Sequence, residues 1–333
     1  MSVKFLRIVL DIEKSIYLNY KKYKMSDFQL KIPVAFIIFN RPATTRRVFA
    51  EIARARPPKL LVVADGPRAD HPDDVEKCAA VRAIIDGVDW DCKVLTNYSD
   101  VNMGCKRRVS SGLDWVFDMV EEAVILEDDC LPHPTFFRFC EEMLNKYRDD
   151  KRIAMISGDN FQFGRKRTEY SYYFSRYPHI WGWASWRRAW ENYDVDMKLW
   201  PEIRDGGWLH DMLGTKISVW YWKNRFENVY KGRIDTWDYQ WTFSCWIQSA
   251  LTILPGVNLV SNIGFATDAV HTIGISELAE MKTGYMVFPL SHPLYILRDS
   301  VADSITDKII FSGRPLLQKG INKIKHILRG AFK

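Results

Sequence analysis

The sequence has no CxxC pair, and its six cysteines (Cys78, Cys92, Cys105, Cys130, Cys140 and Cys245) follow no regular spacing. This argues against a structural zinc site and against a disulfide framework, and it points to a reducing compartment. Nowhere do 18 apolar residues run uninterrupted, so no membrane-spanning helix is expected. The opening MSVKFLRIVLDIEKSIYLNY has a basic front and a short apolar run, but Asp11 and Glu13 break it before it takes signal-peptide form. Phosphate-binding glycine loops are missing as well, since neither GxxxxGKS/T nor GxGxxG occurs. There is no internal repeat and no low-complexity linker.

What remains is an ordinary globular composition, 47% hydrophobic and 26% charged over 333 residues, enough for one large core or two smaller lobes. Aromatic residues make up 14%, and most of the 13 tryptophans gather between Trp181 and Trp246. Flat amphipathic rings suit a ligand such as a sugar, but they also fill cores, and composition leaves both readings open. The net charge of +6 is carried by the ends: residues 1–24 hold +4 and residues 314–333 hold +6, leaving the body at −4. Nucleic acid is therefore not the expected partner. Near the end, Ile321, Ile324, Leu328 and Phe332 recur at helical spacing among lysines and arginine. This is the form of an interfacial helix attracted to anionic lipid, or of a solvated helix packed on the body.

Short apolar runs alternate with helical periodicity from residue 31 onward. KIPVAFIIFN stops at Asn40-Arg41-Pro42, and TTRRVFAEIARA follows with helical spacing; KLLVVADGPR stops at Asp65-Gly66-Pro67. A helix is expected over 75–85, a strand over 93–96, a helix over 106–119 and a strand over 123–126. HPTFFRFCEEMLNKY reads as a helix with Pro134 near its first turn, and RIAMISGDN as a strand and its exit loop. Such alternation signals a parallel sheet covered on both faces, which binds ligands beyond the carboxyl ends of its strands. Asn40-Arg41, Asp65-Gly66 and Glu127-Asp128-Asp129 all fall at those ends. After residue 160 the pattern is expected to dissolve into aromatic loops and shorter helices, a second lobe completing a cleft. The expected divisions are 1–30 (basic amphipathic segment), 31–160 (the sheet-forming half), 161–275 (the aromatic second lobe) and 276–333 (extension with the basic helix).

Three consecutive carboxylates after an apolar strand repel one another and call for a positive partner. Mg2+ or Mn2+ would serve, as hard cations that take oxygen ligands and are commonly completed by substrate phosphates. Stabilisation of the following helix by its macrodipole would account for one or two acids but not for three.

LEDDCLPHPTFFRFCEEML resembles the metal-binding stretch of GT-A glycosyltransferases, most closely the N-acetylglucosaminyltransferase I type, with an EDD tripeptide in the DXD-like position. IAMISGDN, IWGWASWRRAW and TWDYQWTFSCW continue the likeness in order, and PVAFIIFNRP and LLVVADG stand where that family has its first two nucleotide-facing strands. The resemblance spans about residues 31–272. It implies an α/β fold of GT-A type: a mostly parallel, Rossmann-like sheet flanked by helices, with an aromatic-rich acceptor lobe. It also implies that Asp129 is the direct metal ligand, that Glu127 and Asp128 face the donor's ribose and sugar, that Asp65 faces uracil, and that Arg41 lies by the diphosphate.

Inverting transfer needs a general base opposite the leaving group. Asp238 is the choice, because Trp237 and Trp241 would desolvate it and raise its pKa. The likeness departs here, with Tyr239 where a second acid would fall, so Asp235 is the alternative base; Asp238 as a plain helix cap also stays open. Trp181, Trp183 and Trp237 are the expected acceptor contacts. His271, following Asp268, is either a further metal or phosphate ligand or an ordinary histidine. Lys106, Arg107 and Arg108 open a helix whose N-terminus would favour an anion, which makes Arg108 a donor-binding candidate. The resulting expectation is a metal-dependent inverting glycosyltransferase, moving a sugar from a nucleoside diphosphate, in particular a UDP-sugar, to a saccharide or lipid-linked saccharide. It would be cytoplasmic and peripheral at the inner face of the membrane. A sugar-nucleotide pyrophosphorylase is the competing enzyme, although FNRPATTRR stands where its glycine-rich loop would be. A saccharide-binding scaffold is the non-enzymatic alternative.

Overall fold

The structure, a computed structural model, describes residues 28–265, 278 and 281–313. The basic ends 1–24 and 314–333, and His271 with Asp268, lie outside the described residues. In chain order the elements are β1 (Val34–Ile38), α1 (Pro42–Ala55), β2 (Lys59–Ala64), α2 (Asp73–Ala83), β3 (Lys93–Tyr98), α3 (Gly104–Met119), β4 (Glu122–Glu127), β5 (Cys130–Pro132) and α4 (Thr135–Lys146). There follow β6 (Ile153–Ser157), β7 (Tyr172–Ser175), β8 (Trp183–Trp186), α5 (Arg187–Trp190), α6 (Trp200–Asp205), α7 (Trp208–Leu213), α8 (Lys216–Tyr230), α9 (Asp238–Ile247), β9 (Leu251–Pro255), β10 (Val260–Asn262) and α10 (Ser300–Ile310).

Eight strands form one mostly parallel sheet in the order β3-β2-β1-β4-β8-β6-β9-β7. The first four are parallel, β8 runs antiparallel between β4 and β6, β9 is parallel to β6, and β7 closes the edge antiparallel to β9. Alternation of side chains divides the buried strands between two cores. Val34, Phe36 and Ile38, with Leu60, Val62, Val124 and Leu126, pack on α1, α2 and α4 through residues such as Phe49, Ile52, Phe137 and Met143. Ala35, Ile37, Leu61, Val63, Ala123 and Ile125 face the other way, onto Val109, Leu113 and Val116 of α3 and onto the tryptophan-rich helices. Because neither face of β1, β2 or β4 is wet, their sequences read as continuous apolar runs.

The segment after residue 160 corrects the expectation of aromatic loops. Its residues supply three more strands, β7, β8 and β9, to the same sheet, so the two expected halves share one hydrogen-bonded layer. WASW lies between β4 and β6, where all four residues are buried. Gly182 enters that strand at φ +67, and a Cβ there would fall 2.7 Å from Val260 Cγ2, so the position needs glycine both for its backbone and for its space. Helix α10 docks through buried acids: Asp303 accepts from Ser175 Oγ, and Asp307 accepts from Tyr177 Oη at 2.9 Å and from Ser218 Oγ.

Candidate active site

The registers place Ile37 opposite Glu127 and Ile38 opposite Ala64, so β1, β2 and β4 release Asn40-Arg41, Asp65-Gly66 and Glu127-Asp128-Asp129 at one edge of the sheet. The loop after β1 is fixed from below. Asn40 Nδ2 donates to Asp74 Oδ1 at 2.7 Å, and Arg68 grips the same carboxylate through Nε (2.6 Å) and Nη2 (3.1 Å). These bonds hold the Asp74 carboxyl well below its ordinary range, with Arg68 the main cause. Arg41 then stands at the start of α1, its carbonyl accepting from Thr45 N at 3.0 Å and Thr45 Oγ1 at 2.7 Å.

The positive partner of the acidic triplet in this structure is Arg41. Its Nη1 donates to Asp129 Oδ2 at 2.7 Å and to Asp128 Oδ1 at 3.3 Å, while Asp128 Oδ2 accepts from the Phe39 amide at 3.1 Å. Asp128 is 5% exposed, whereas the Arg41 side chain is 51% exposed. Burial pushes Asp128 up to about 6 despite the opposing charge of Arg41, with the negative charge of Asp129 adding to the rise. No protein group donates a hydrogen bond to the Glu127 carboxylate among the described residues. Burial, then the charges of Asp129, Asp128 and Asp238, push it up to about 8.

Asp238 thereby belongs to the same electrostatic cluster. It opens α9 half-buried, accepts from Thr236 Oγ1, and burial raises its pKa above the ordinary value while that hydroxyl and nearby amides oppose the rise. Asp235 has another task. Its Oδ2 accepts from the Cys105 amide at 2.9 Å and its Oδ1 from the Lys106 amide at 3.1 Å. The N-terminus of α3 does attract an anion, and the anion is the chain's own carboxylate. Cys105 escaped the sequence reading: desolvation, with the fields of Glu127, Asp238, Asp235 and Asp65, pushes its thiol up to about 12. Its only signal was its place at the head of the KRR helix.

Asp65 is 7% exposed and braces the loop before α3, accepting from Met103 N and Gly66 N, both at 2.9 Å, and from Asn102 Nδ2 at 3.1 Å. Arg108 turns inward, with Nε on the Ala64 carbonyl at 3.1 Å and Nη2 on Asn97 Oδ1 at 2.8 Å. Trp183 and Trp237 are 0% and 2% exposed and stack at 5.7 Å within the second core. Of the three expected acceptor tryptophans, Trp181 alone keeps a partly exposed ring, set against Phe161 and Phe265, with its amide donating to Asp159 Oδ2 at 3.1 Å.

Among the described residues no three His, Cys, Asp or Glu side chains converge as an all-protein metal cage. The donor set fits a different arrangement, a hard divalent cation held by one or two carboxylates and completed by phosphate oxygens. Among the described residues Glu127 has no donor, and Asp129 has a half-exposed arginine and the weak Cys130 thiol donor to exchange. Asp129 is also closely cradled: a Cβ at position 264 would lie 2.1 Å from its Oδ2, so glycine there leaves the carboxylate its room.

No protein-family model and no curated protein matches the chain. Among solved structures it is similar to the mannosyltransferase PcManGT from Pyrobaculum calidifontis in complex with GDP-Man and Mn2+, at 15% identity and TM-score 0.35, over 54% of this chain and 55% of that one. The chain thus spans about half of that enzyme's length. It is also similar to a UDP-glucose pyrophosphorylase complexed with UDP-glucose (9% identity, TM-score 0.36, 67% and 90% covered). A third likeness is to mouse xyloside xylosyltransferase 1 in its apo form (10% identity, TM-score 0.30, 64% and 81% covered). Similarities this weak carry no functional inference.

Proposed function

We propose that the protein is a metal-dependent, inverting glycosyltransferase that takes its sugar from a nucleoside diphosphate, in particular UDP, and passes it to a saccharide or lipid-linked saccharide. The observation that carries this reading is the meeting of the Glu127-Asp128-Asp129 triplet with Arg41 at the carboxyl ends of β4 and β1, in the field of Asp238 at the start of α9. Asp129, with Glu127 or Asp128 beside it, would hold Mn2+ or Mg2+. Bound there, the cation would neutralise charge that grows on the diphosphate as the glycosidic bond breaks.

The chain's own residues would do the rest. Arg41 would pair with the diphosphate, and the remaining acids would accept hydrogen bonds from the ribose and sugar hydroxyls. The acceptor oxygen would attack the anomeric carbon as its proton passes to the Asp238 carboxylate, while the bond from that carbon to the β-phosphate oxygen breaks and the nucleoside diphosphate departs. Trp181 offers a partly exposed ring on which an acceptor sugar would stack. Work at the inner face of an anionic membrane is the corresponding reading of the two basic ends.

Thermal shift with UDP, with and without Mn2+, tests the proposal, because a ligand bound only by the native state raises the melting temperature. UDP plus Mn2+ is expected to shift the transition, and Asp129→Ala to abolish the shift. Equal stabilisation by UDP without metal would remove Asp129 from its assigned role.

A further inference from the structure

We infer that Arg41 is an internal counter-cation that keeps the acidic corner closed to divalent metal until a nucleoside diphosphate draws its guanidinium away, so that metal and nucleotide are coupled through one side chain. The inference rests on the nucleotide-sugar reading of the same site.

Three observations lead to it. Arg41 Nη1 lies 2.7 Å from Asp129 Oδ2 and 3.3 Å from Asp128 Oδ1. A divalent cation on Asp129 Oδ2 would sit about 2.0–2.2 Å from that oxygen, next to a guanidinium whose positive charge repels it and whose N–H competes for the same lone pairs. Metal and arginine therefore compete at this oxygen. Next, Nε and Nη2 of Arg41 make no hydrogen bond to any described residue, so the guanidinium keeps donors for a second anion while Nη1 holds the carboxylates. A planar fork with unused N–H groups is suited to bidentate phosphate recognition. Finally, the arginine can move without moving the fold. Its backbone is fixed by Thr45 and followed by Pro42, Asn40 beside it is tied to Asp74, and yet its side chain is 51% exposed. Only side-chain rotation separates a closed corner from an open one.

The energetic logic is exchange. Without nucleotide, the cation must draw Asp129 from Arg41 and leave the guanidinium only its longer contact with Asp128. With a diphosphate present, Arg41 gains phosphate oxygens as the carboxylates gain metal, so neither charge is left without a partner. The closed state should therefore weaken binding of metal alone by about tenfold, equivalent to about 1.4 kcal/mol, and by linkage the nucleotide should recover that factor.

The test is titration of Mn2+ alone, followed by electron paramagnetic resonance of the free ion, on the full chain and on Arg41→Gln. The variant is expected to bind Mn2+ about tenfold more tightly than the wild type, and Arg41→Gln combined with Asp129→Asn to lose the gain, which locates it at this corner. Repeated with UDP, the titration should show a smaller nucleotide-dependent gain in the variant than in the wild type. Equal affinity of wild type and Arg41→Gln for Mn2+ alone, no binding by either, or a gain that survives Asp129→Asn would each overturn the inference. Failure of both proteins to bind UDP would instead overturn the nucleotide-sugar reading, which the metal-only arm does not use.

Discussion

Glu127 should make the native state lose stability as pH rises. Its folded pKa of about 8 stands above the ordinary value of 4.5, so the native chain binds this proton more tightly than the unfolded chain does. Stability from that proton is fully present below pH 4.5 and is lost as pH climbs through about 8. At about 1.4 kcal/mol per pH unit, the interval from 4.5 to 8 sets a ceiling of about 5 kcal/mol. Glu127 is only partly shielded from water and shares its field with three other acids, so about 2 kcal/mol is the expected size. Glu127→Gln has no proton to lose. In urea denaturation from pH 4 to 9 with EDTA present, the wild type should fall relative to the variant by about 2 kcal/mol, the loss beginning near pH 4.5 and complete by about pH 8. Asp128, also raised, titrates in both proteins and largely cancels from the difference. Parallel stability curves across the range would show that Glu127 does not carry a raised pKa and would refute this account of its surroundings.

Other expectations follow from the same geometry. Asp235→Ala should destabilise the fold by about 1–2 kcal/mol, the scale of a lost helix cap, visible as a lower urea midpoint at neutral pH. Trp181→Ala should weaken acceptor use, read as a raised acceptor KM, with little change in melting temperature. Trp183→Ala should instead cost about 3–5 kcal/mol, because its ring fills the core, and a scanning calorimeter would separate the two variants. Asp238→Asn should retain UDP binding by calorimetry while losing most transfer; unchanged transfer would remove Asp238 from the mechanism.

The strands that carry the acidic corner were readable in the sequence because both of their faces are buried. VAFII, KLLVVA and AVIL have no polar alternation to confuse, and each stops at the polar residues that form the site. The helices over 106–119 and 75–85 were legible from their apolar period, the second ending in a short 3-10 turn at Ile84–Gly87. β8 was not legible. WASW is short and half tryptophan, and it reads as a ligand surface until its neighbours β4 and β6 bury it. The same ambiguity hid the core roles of Trp183 and Trp237, because a tryptophan that stacks on a sugar and one that stacks on another tryptophan look alike in a string of letters. The crowding of Glu127, Asp128 and Asp129 announced a missing cation, but the identity of the ligand-free partner depended on the reach of one side chain from the loop after β1. Asp235 likewise lay near the expected base in sequence, and only the packing of α3 against that loop reveals it as a cap.

The most direct test of the central claim is release of free nucleotide when the protein is incubated with a panel of nucleoside-diphosphate sugars, Mn2+ and saccharide acceptors. Wild-type protein should release UDP from at least one uridine sugar faster than Asp129→Asn and Asp238→Asn do under the same conditions. Release at equal rates from all three proteins, or from none of the panel, would contradict it.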